Sequence, residues 1–232
     1  VDGLLLSLAS DTKDLRHLTP FLRVQTPVIF FDRGADSGDI SAVTIDNYQA
    51  AYEITRHLIA QGCQSIVHLA GNDRRDLYAG RIKGYKDALL SNNMVFREDW
   101  VWRCDLDEKA GIEAARKILL MPSSKRPDAV FAANDTSAIY CMLHLKEHGV
   151  NIPHEICIAG FNNDPFCSMV KPGLTSVNYS GFEMGKVAAL SLIEQITRPQ
   201  AKQPVTAIVM QSNLVIRESS LRKPVSGKGC LK

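Results

Sequence analysis

Two short apolar runs in the middle of the chain stop on amide and carboxylate residues. Residues 129–133 (AVFAA) lead into Asn134 and Asp135, and residues 156–159 (ICIA) lead through Gly160 and Phe161 into Asn162, Asn163 and Asp164. An asparagine side chain offers two donors and one acceptor, which suits a small molecule bearing hydroxyl or amide groups; it is neither a base nor a nucleophile. The chemistry these residues point to is binding. Plainer duties fit them too: Asn134 or Asp135 as the N-cap of a following helix, Asn162 in a turn. A further polar pair, Asp32 and Arg33, follows residues 27–31 (PVIFF). A carboxylate accepts from two vicinal hydroxyls and a guanidinium donates to ring or hydroxyl oxygens, so the pair suits a polyol, or else forms a surface ion pair in a turn.

Positioning such groups takes an alternating α/β scaffold. Strand-like runs at residues 3–8, 27–31, 43–46, 65–70, 100–103, 129–133, 156–159, 174–178, 206–210 and 213–217 alternate with helical stretches. Helices are expected at residues 11–23, at 47–61 with Gly62 as the stop, around Arg81, Gly84, Tyr85, Ala88 and Leu89, at 108–120, from 135 to near Gly149, and at 181–197. This alternation predicts parallel sheets with helices on both faces. There are more units than one sheet holds, so the expectation is two doubly wound lobes with a ligand crevice between them. Parallel strands joined by right-handed crossovers finish on one edge, where ligands sit in open α/β sheets. Asn134 and Asn162 are expected to face one such crevice.

The totals exclude several classes. In 232 residues, 27 Lys and Arg stand against 25 Asp and Glu, too even a balance for these residues alone to grip a phosphate backbone. Six dispersed cysteines form no C-x-x-C pair, which fits free thiols in a reducing cytoplasm and no disulfide framework or zinc site. No apolar run approaches the roughly 18 residues of a membrane span, so no membrane partner is expected. His144 and His148 lie four apart, but no glutamate follows the first as H-E-x-x-H requires. They read as a solvated helix face; no metal or cofactor is called for. Residues 223–232 read as a flexible tail.

In order along the chain stand Val1-Asp2-Gly3 before a strand, Asp32-Arg33 after residues 27–31, residues 57–62 (HLIAQG), Arg81-Ile82-Lys83-Gly84-Tyr85, Ala133-Asn134-Asp135, Ile152-Pro153, Gly160-Phe161-Asn162-Asn163 and Leu174-Thr175-Ser176-Val177. This ordered set resembles the effector-binding domain of lactose/galactose-repressor-type (LacI/GalR) transcription regulators, from about residue 2 to residue 222. The resemblance implies a periplasmic-binding-protein-like fold whose lobes close about three crossings, near residues 62–65, 177–181 and 210–212. One lobe would be 1–62 plus 181–210, the other 64–178 plus 211–222. By the same resemblance, the family's helix-turn-helix, its hinge helix and the first βα unit of the amino-proximal lobe are missing from this sequence.

The resemblance also implies ligand contacts. Arg81 occupies the family's ligand-binding arginine position, and Arg75 falls where purine-sensing relatives place another contact, or else belongs to a simple charged loop. Leu106 stands where members often carry a stacking aromatic, and Tyr179 matches a polar pocket position. Asn162 replaces the family's usual Asp, exchanging a charged acceptor for a neutral one. Substitution of Arg81 or Asp32 is expected to weaken effector binding without changing melting. The implied function is the sensing domain of a homodimeric cytoplasmic regulator that binds a sugar-like effector, less readily a purine, and meets operator DNA only through the absent amino-terminal domain. The rivals are a solute-binding protein for sugar uptake, which a signal peptide in place of a helix-turn-helix would distinguish, and an α/β enzyme, which turnover of a bound sugar would reveal. No catalytic residue is assigned.

Overall fold

The computed structural model describes residues 1–9, 12, 14–34, 39–72, 76–198 and 205–222. Arg75 and the tail at 223–232 lie outside them. In chain order the elements are β1 (Leu4–Leu6), α1 (Thr19–Arg23), β2 (Val28–Phe31), β3 (Ser41–Ile45), α2 (Asn47–Ala60), β4 (Ile66–Ala70), α3 (Asp76–Ser91), β5 (Val101–Arg103), α4 (Glu108–Leu120), β6 (Ala129–Ala132), α5 (Asp135–Glu147), β7 (Cys157–Asn162), α6 (Phe166–Met169), β8 (Thr175–Asn178), α7 (Gly181–Thr197), β9 (Ala207–Met210) and β10 (Asn213–Val215). They build two compact units, one drawn from Val1–Asp46, Arg75–Leu77 and Tyr179–Ser212, the other from Asn47–Arg74, Tyr78–Asn178 and Asn213–Lys232. Helix α2 therefore belongs with the second unit and not with the first, as the sequence suggests. Its apolar face packs against β6, β8 and β10, and Ala51, Ile54 and Leu58 are buried.

The first unit holds a parallel sheet of order β1-β2-β3-β9, with α7 packed against β1, β2 and β3. Ile29 and Phe30 of β2 are fully buried. The segment expected as one helix over 11–23 is instead a single 3-10 turn at Arg16–Leu18 followed by the five-residue α1. Pro20 in the first turn of α1 has no N–H to extend the hydrogen-bond ladder back from there.

The second unit holds a six-stranded sheet of order β10-β8-β7-β6-β4-β5. Every pairing is parallel except β10 with β8, so the sheet is mixed at that edge. Strand order reverses between β4 and β6, the switch point at whose carboxyl side open α/β sheets bind ligands. All five residues of β4 and all four of β6 are buried, as expected for strands covered on both faces. His68 of β4 stacks 4.3 Å from the Phe131 ring and lies 5.2 Å from that of Tyr85. Its Nδ1 donates to the Phe131 carbonyl at 2.9 Å, its Nε2 has no partner among the described residues, and burial pushes its pKa down to about 4. Helix α3 crosses α2 at Gly84, where a Cβ would run into the Tyr48 carbonyl oxygen and the Tyr52 nitrogen.

Strand β7 runs on through Gly160 and Phe161 to Asn162, three residues past the apolar run. Gly160 permits this, because a side chain there would collide with the Asp135 carboxylate.

Candidate functional site

In the first unit, β2 ends at Phe31 and the chain turns at Asp32, which takes a left-handed φ of 57°; a short polar side chain tolerates that backbone better than most. The Asp32 N–H donates to the Val43 carbonyl at 3.0 Å, fixing the turn to β3. The Arg33 Nε lies 3.6 Å from Asp32 Oδ2, and both side chains are about one-third exposed, 39% and 32%. The same Nε donates to Ser7 Oγ at 3.3 Å, and the Tyr179 hydroxyl donates to Asp32 Oδ1 at 3.5 Å. Ser7, Asp32, Arg33 and Tyr179 thus gather at the carboxyl ends of β1 and β2. All these contacts are long, so the carboxylate and guanidinium are loosely held.

The carboxyl edge of the second unit is bonded far more tightly. Asn134 caps α5: its Oδ1 accepts from the Ser137 N–H at 3.0 Å and from the Ser137 hydroxyl at 2.7 Å. Its Nδ2 donates to the Leu106 carbonyl at 2.7 Å. Both ends of the amide are engaged by the fold, which is the capping alternative seen in the sequence. Leu106, at a left-handed φ of 59°, is only 5% exposed, and its side chain is part of the hydrophobic core.

Arg81 is 4% exposed. Its Nη1 donates to the Ala133 carbonyl at 2.5 Å, its Nε donates to Asn47 Oδ1 at 2.9 Å, and the guanidinium lies 3.5 Å from the centre of the Phe161 ring. One side chain so ties α2, the end of β6 and β7 together. Asn162 takes a φ of 115°, and burial raises the pKa of the nearby Asp164 carboxyl.

The strongest polar group at this edge is one the sequence reading left as a cap alternative. Asp135 is fully buried and accepts from the Ser176 hydroxyl at 2.6 Å and the Asp164 N–H at 2.7 Å. Desolvation outweighs those bonds and lifts its pKa to about 6. Asn163 is held in the same way, donating to Asn178 Oδ1 at 3.1 Å and accepting from Arg217 at 2.7 Å. The signal for Asp135 is its position: an acid just inside an N-cap, preceding a buried helix face, has no water to turn to.

A family model described as a periplasmic binding protein-like domain matches residues 55–220. The chain is 29% identical over 219 residues to the HTH-type transcriptional repressor PurR of Vibrio campbellii, covering 94% of this chain and 64% of that protein. It is 29% identical over 212 residues to catabolite control protein A of Priestia megaterium, covering 91% and 61%. The chain belongs to the LacI/GalR-type periplasmic binding protein-like family. A solved structure, the transcriptional regulator CelR in complex with cellobiose, superposes with a TM-score of 0.82 at 29% identity, covering 94% of this chain and 66% of that one. The chain spans somewhat less than two thirds of the length of PurR and of catabolite control protein A. No helix among its described residues is long and apolar enough to cross a membrane.

Proposed function

We propose that this chain is the effector-sensing part of a homodimeric, cytoplasmic, non-enzymatic transcription regulator. Its effector is a small polyhydroxylated molecule, and operator DNA is read by a helix-turn-helix domain outside these 232 residues. The observation that carries the effector class is the group at the carboxyl ends of β1 and β2. There a carboxylate about one-third exposed stands 3.6 Å from a guanidinium and 3.5 Å from a tyrosine hydroxyl. A carboxylate accepts from two hydroxyls at once while a guanidinium and a phenol donate to sugar oxygens. The cellobiose bound by the CelR relative supports the same class.

Asp32, Arg33 and Tyr179 are the primary contacts in this reading. Asn162, at the end of β7, is a secondary contact, its amide offering two donors and one acceptor to ligand hydroxyls. Within the second unit, Arg81, Asn134 and Leu106 shape the carboxyl edge of the sheet through their own bonds and packing. Arg75 remains a contact by family position only.

A thermal-shift screen of sugars, sugar acids, nucleosides and purines tests the class, since a ligand at 100 times its dissociation constant stabilises by about 2.7 kcal/mol. Isothermal titration of the best hit against Asp32→Asn and Tyr179→Phe then tests the residues. The expected result is a sugar or sugar acid whose binding weakens about tenfold or more in Asp32→Asn, in line with the loss of a hydrogen bond to a charged group. A nucleobase as sole hit, or unchanged affinity in both variants, overturns the proposal.

A further inference from the structure

Outside the edges described above, one cluster of side chains among the described residues has the composition of a metal site. His144, Glu147 and His148 stand in the last turn and at the C-cap of α5, with their nearest ligating atoms all within 4.8 Å of one another. The two imidazole centroids are 4.5 Å apart, as residues one helical turn apart must be. Glu147 reaches back along the helix, placing Oε2 3.7 Å from His144 Nδ1.

The hydrogen-bonding around the pair selects a tautomer. His148 Nδ1 lies 2.9 Å from the His144 carbonyl oxygen, and a carbonyl only accepts, so Nδ1 carries the proton and Nε2 keeps its lone pair. A ring nitrogen bonded to a backbone carbonyl is the usual support of a metal-ligating histidine, fixing both its tautomer and its orientation. His144 is mostly buried, with only 16% of its side chain exposed, so little ordering remains for it to undergo. The cluster also sits where the last carbonyls of a thirteen-residue helix carry partial negative charge, which favours a cation. Lys146, the nearest cationic residue along the chain, has its ammonium engaged by the Lys171 carbonyl.

We propose that His144, Glu147 and His148 form a binding site for a divalent transition-metal ion of borderline softness, such as Zn²⁺, Ni²⁺ or Cu²⁺. Two imidazoles and one carboxylate suit these ions and not Mg²⁺ or Ca²⁺, which prefer all-oxygen shells. Three protein ligands leave a further coordination position for water. The site is independent of the effector edge and of the proposal made for it.

The test is isothermal titration of the whole chain with ZnCl₂ and with NiCl₂, in reducing buffer free of chelators, alongside imidazole NMR. The wild type is expected to bind one equivalent, with the His148 ring signals shifting. His144→Ala and His148→Ala should each weaken that event roughly tenfold or more. His154→Ala, at an exposed histidine elsewhere, and Cys104→Ser, at a half-buried thiol, should leave it unchanged. Absence of binding to the wild type, or equal affinity in the His144→Ala/His148→Ala double variant, overturns the proposal. Circular dichroism of the variants separates loss of ligands from loss of fold.

Discussion

At the end of β2, Asp32 is held by a 3.6 Å ion pair and a 3.5 Å hydroxyl contact between partly exposed side chains. At the end of β6, Asn134 spends both ends of its amide on bonds of 2.7 to 3.0 Å, and beside it Arg81 and Asp135 are buried and multiply bonded. The two edges display similar residue types, yet only the first leaves them loosely engaged. Polar residues at a strand end therefore fall into two kinds: those that a ligand can recruit cheaply, and those whose recruitment would first undo the protein's own hydrogen bonds. Buried polar groups must be paired, so exposure and bond length separate the kinds where residue type does not.

The sharpest way to break this contrast is Arg81→Ala. It strips the Ala133 carbonyl and Asn47 of a partner and opens a void over Phe161, so a loss of about 3 kcal/mol is expected, read from the shift of the urea midpoint. That result would correct the family-based expectation that melting stays unchanged.

Next comes acid. The His68 pKa of about 4 lies below the ordinary 6.5, so between those values the unfolded chain takes up a proton that the folded chain refuses, and stability falls as pH falls. Against a His68→Phe variant, the wild type should lose up to about 3 kcal/mol from pH 6.5 to pH 4. Asp135, raised from 3.8 to about 6, has the opposite sign: it keeps its proton when folded, and stability falls as pH rises from 3.8 to 6. Chemical denaturation at stepped pH checks both slopes.

A smaller effect, about 1 to 2 kcal/mol, is expected for Asn134→Ala through loss of the α5 cap. Thermal unfolding reads it directly. Smallest of all, Asp32→Asn should change stability by less than about 0.5 kcal/mol, since it removes one exposed ion pair and keeps a residue that accepts the left-handed turn. If the two edges differ as described, this last variant is also the one that most weakens effector binding.

Local pattern made much of the scaffold readable. Helices α4 and α7 lie where their spacing predicts, and β2, β4 and β6 follow from apolar runs bounded by polar stops. What did not follow from local pattern was set by distant partners. The Asn134 amide is used up by a carbonyl 28 residues away, and Arg81 is held by Asn47, 34 residues away. Likewise β7 continues past its apolar run because Gly160 clears space for Asp135, and α2 joins the second unit because of the strands it covers. The residues of the candidate site were legible as polar strand ends, whereas their allegiance to ligand or fold was not.

The crossing at Gly84 has a use in the laboratory. Since even a methyl group there would strike the backbone of α2, and Arg81 sits one turn earlier on the same helix, saturation of codon 84 followed by selection for soluble chain should return glycine alone, giving an internal standard against which tolerance at every other position of a mutant library can be scaled.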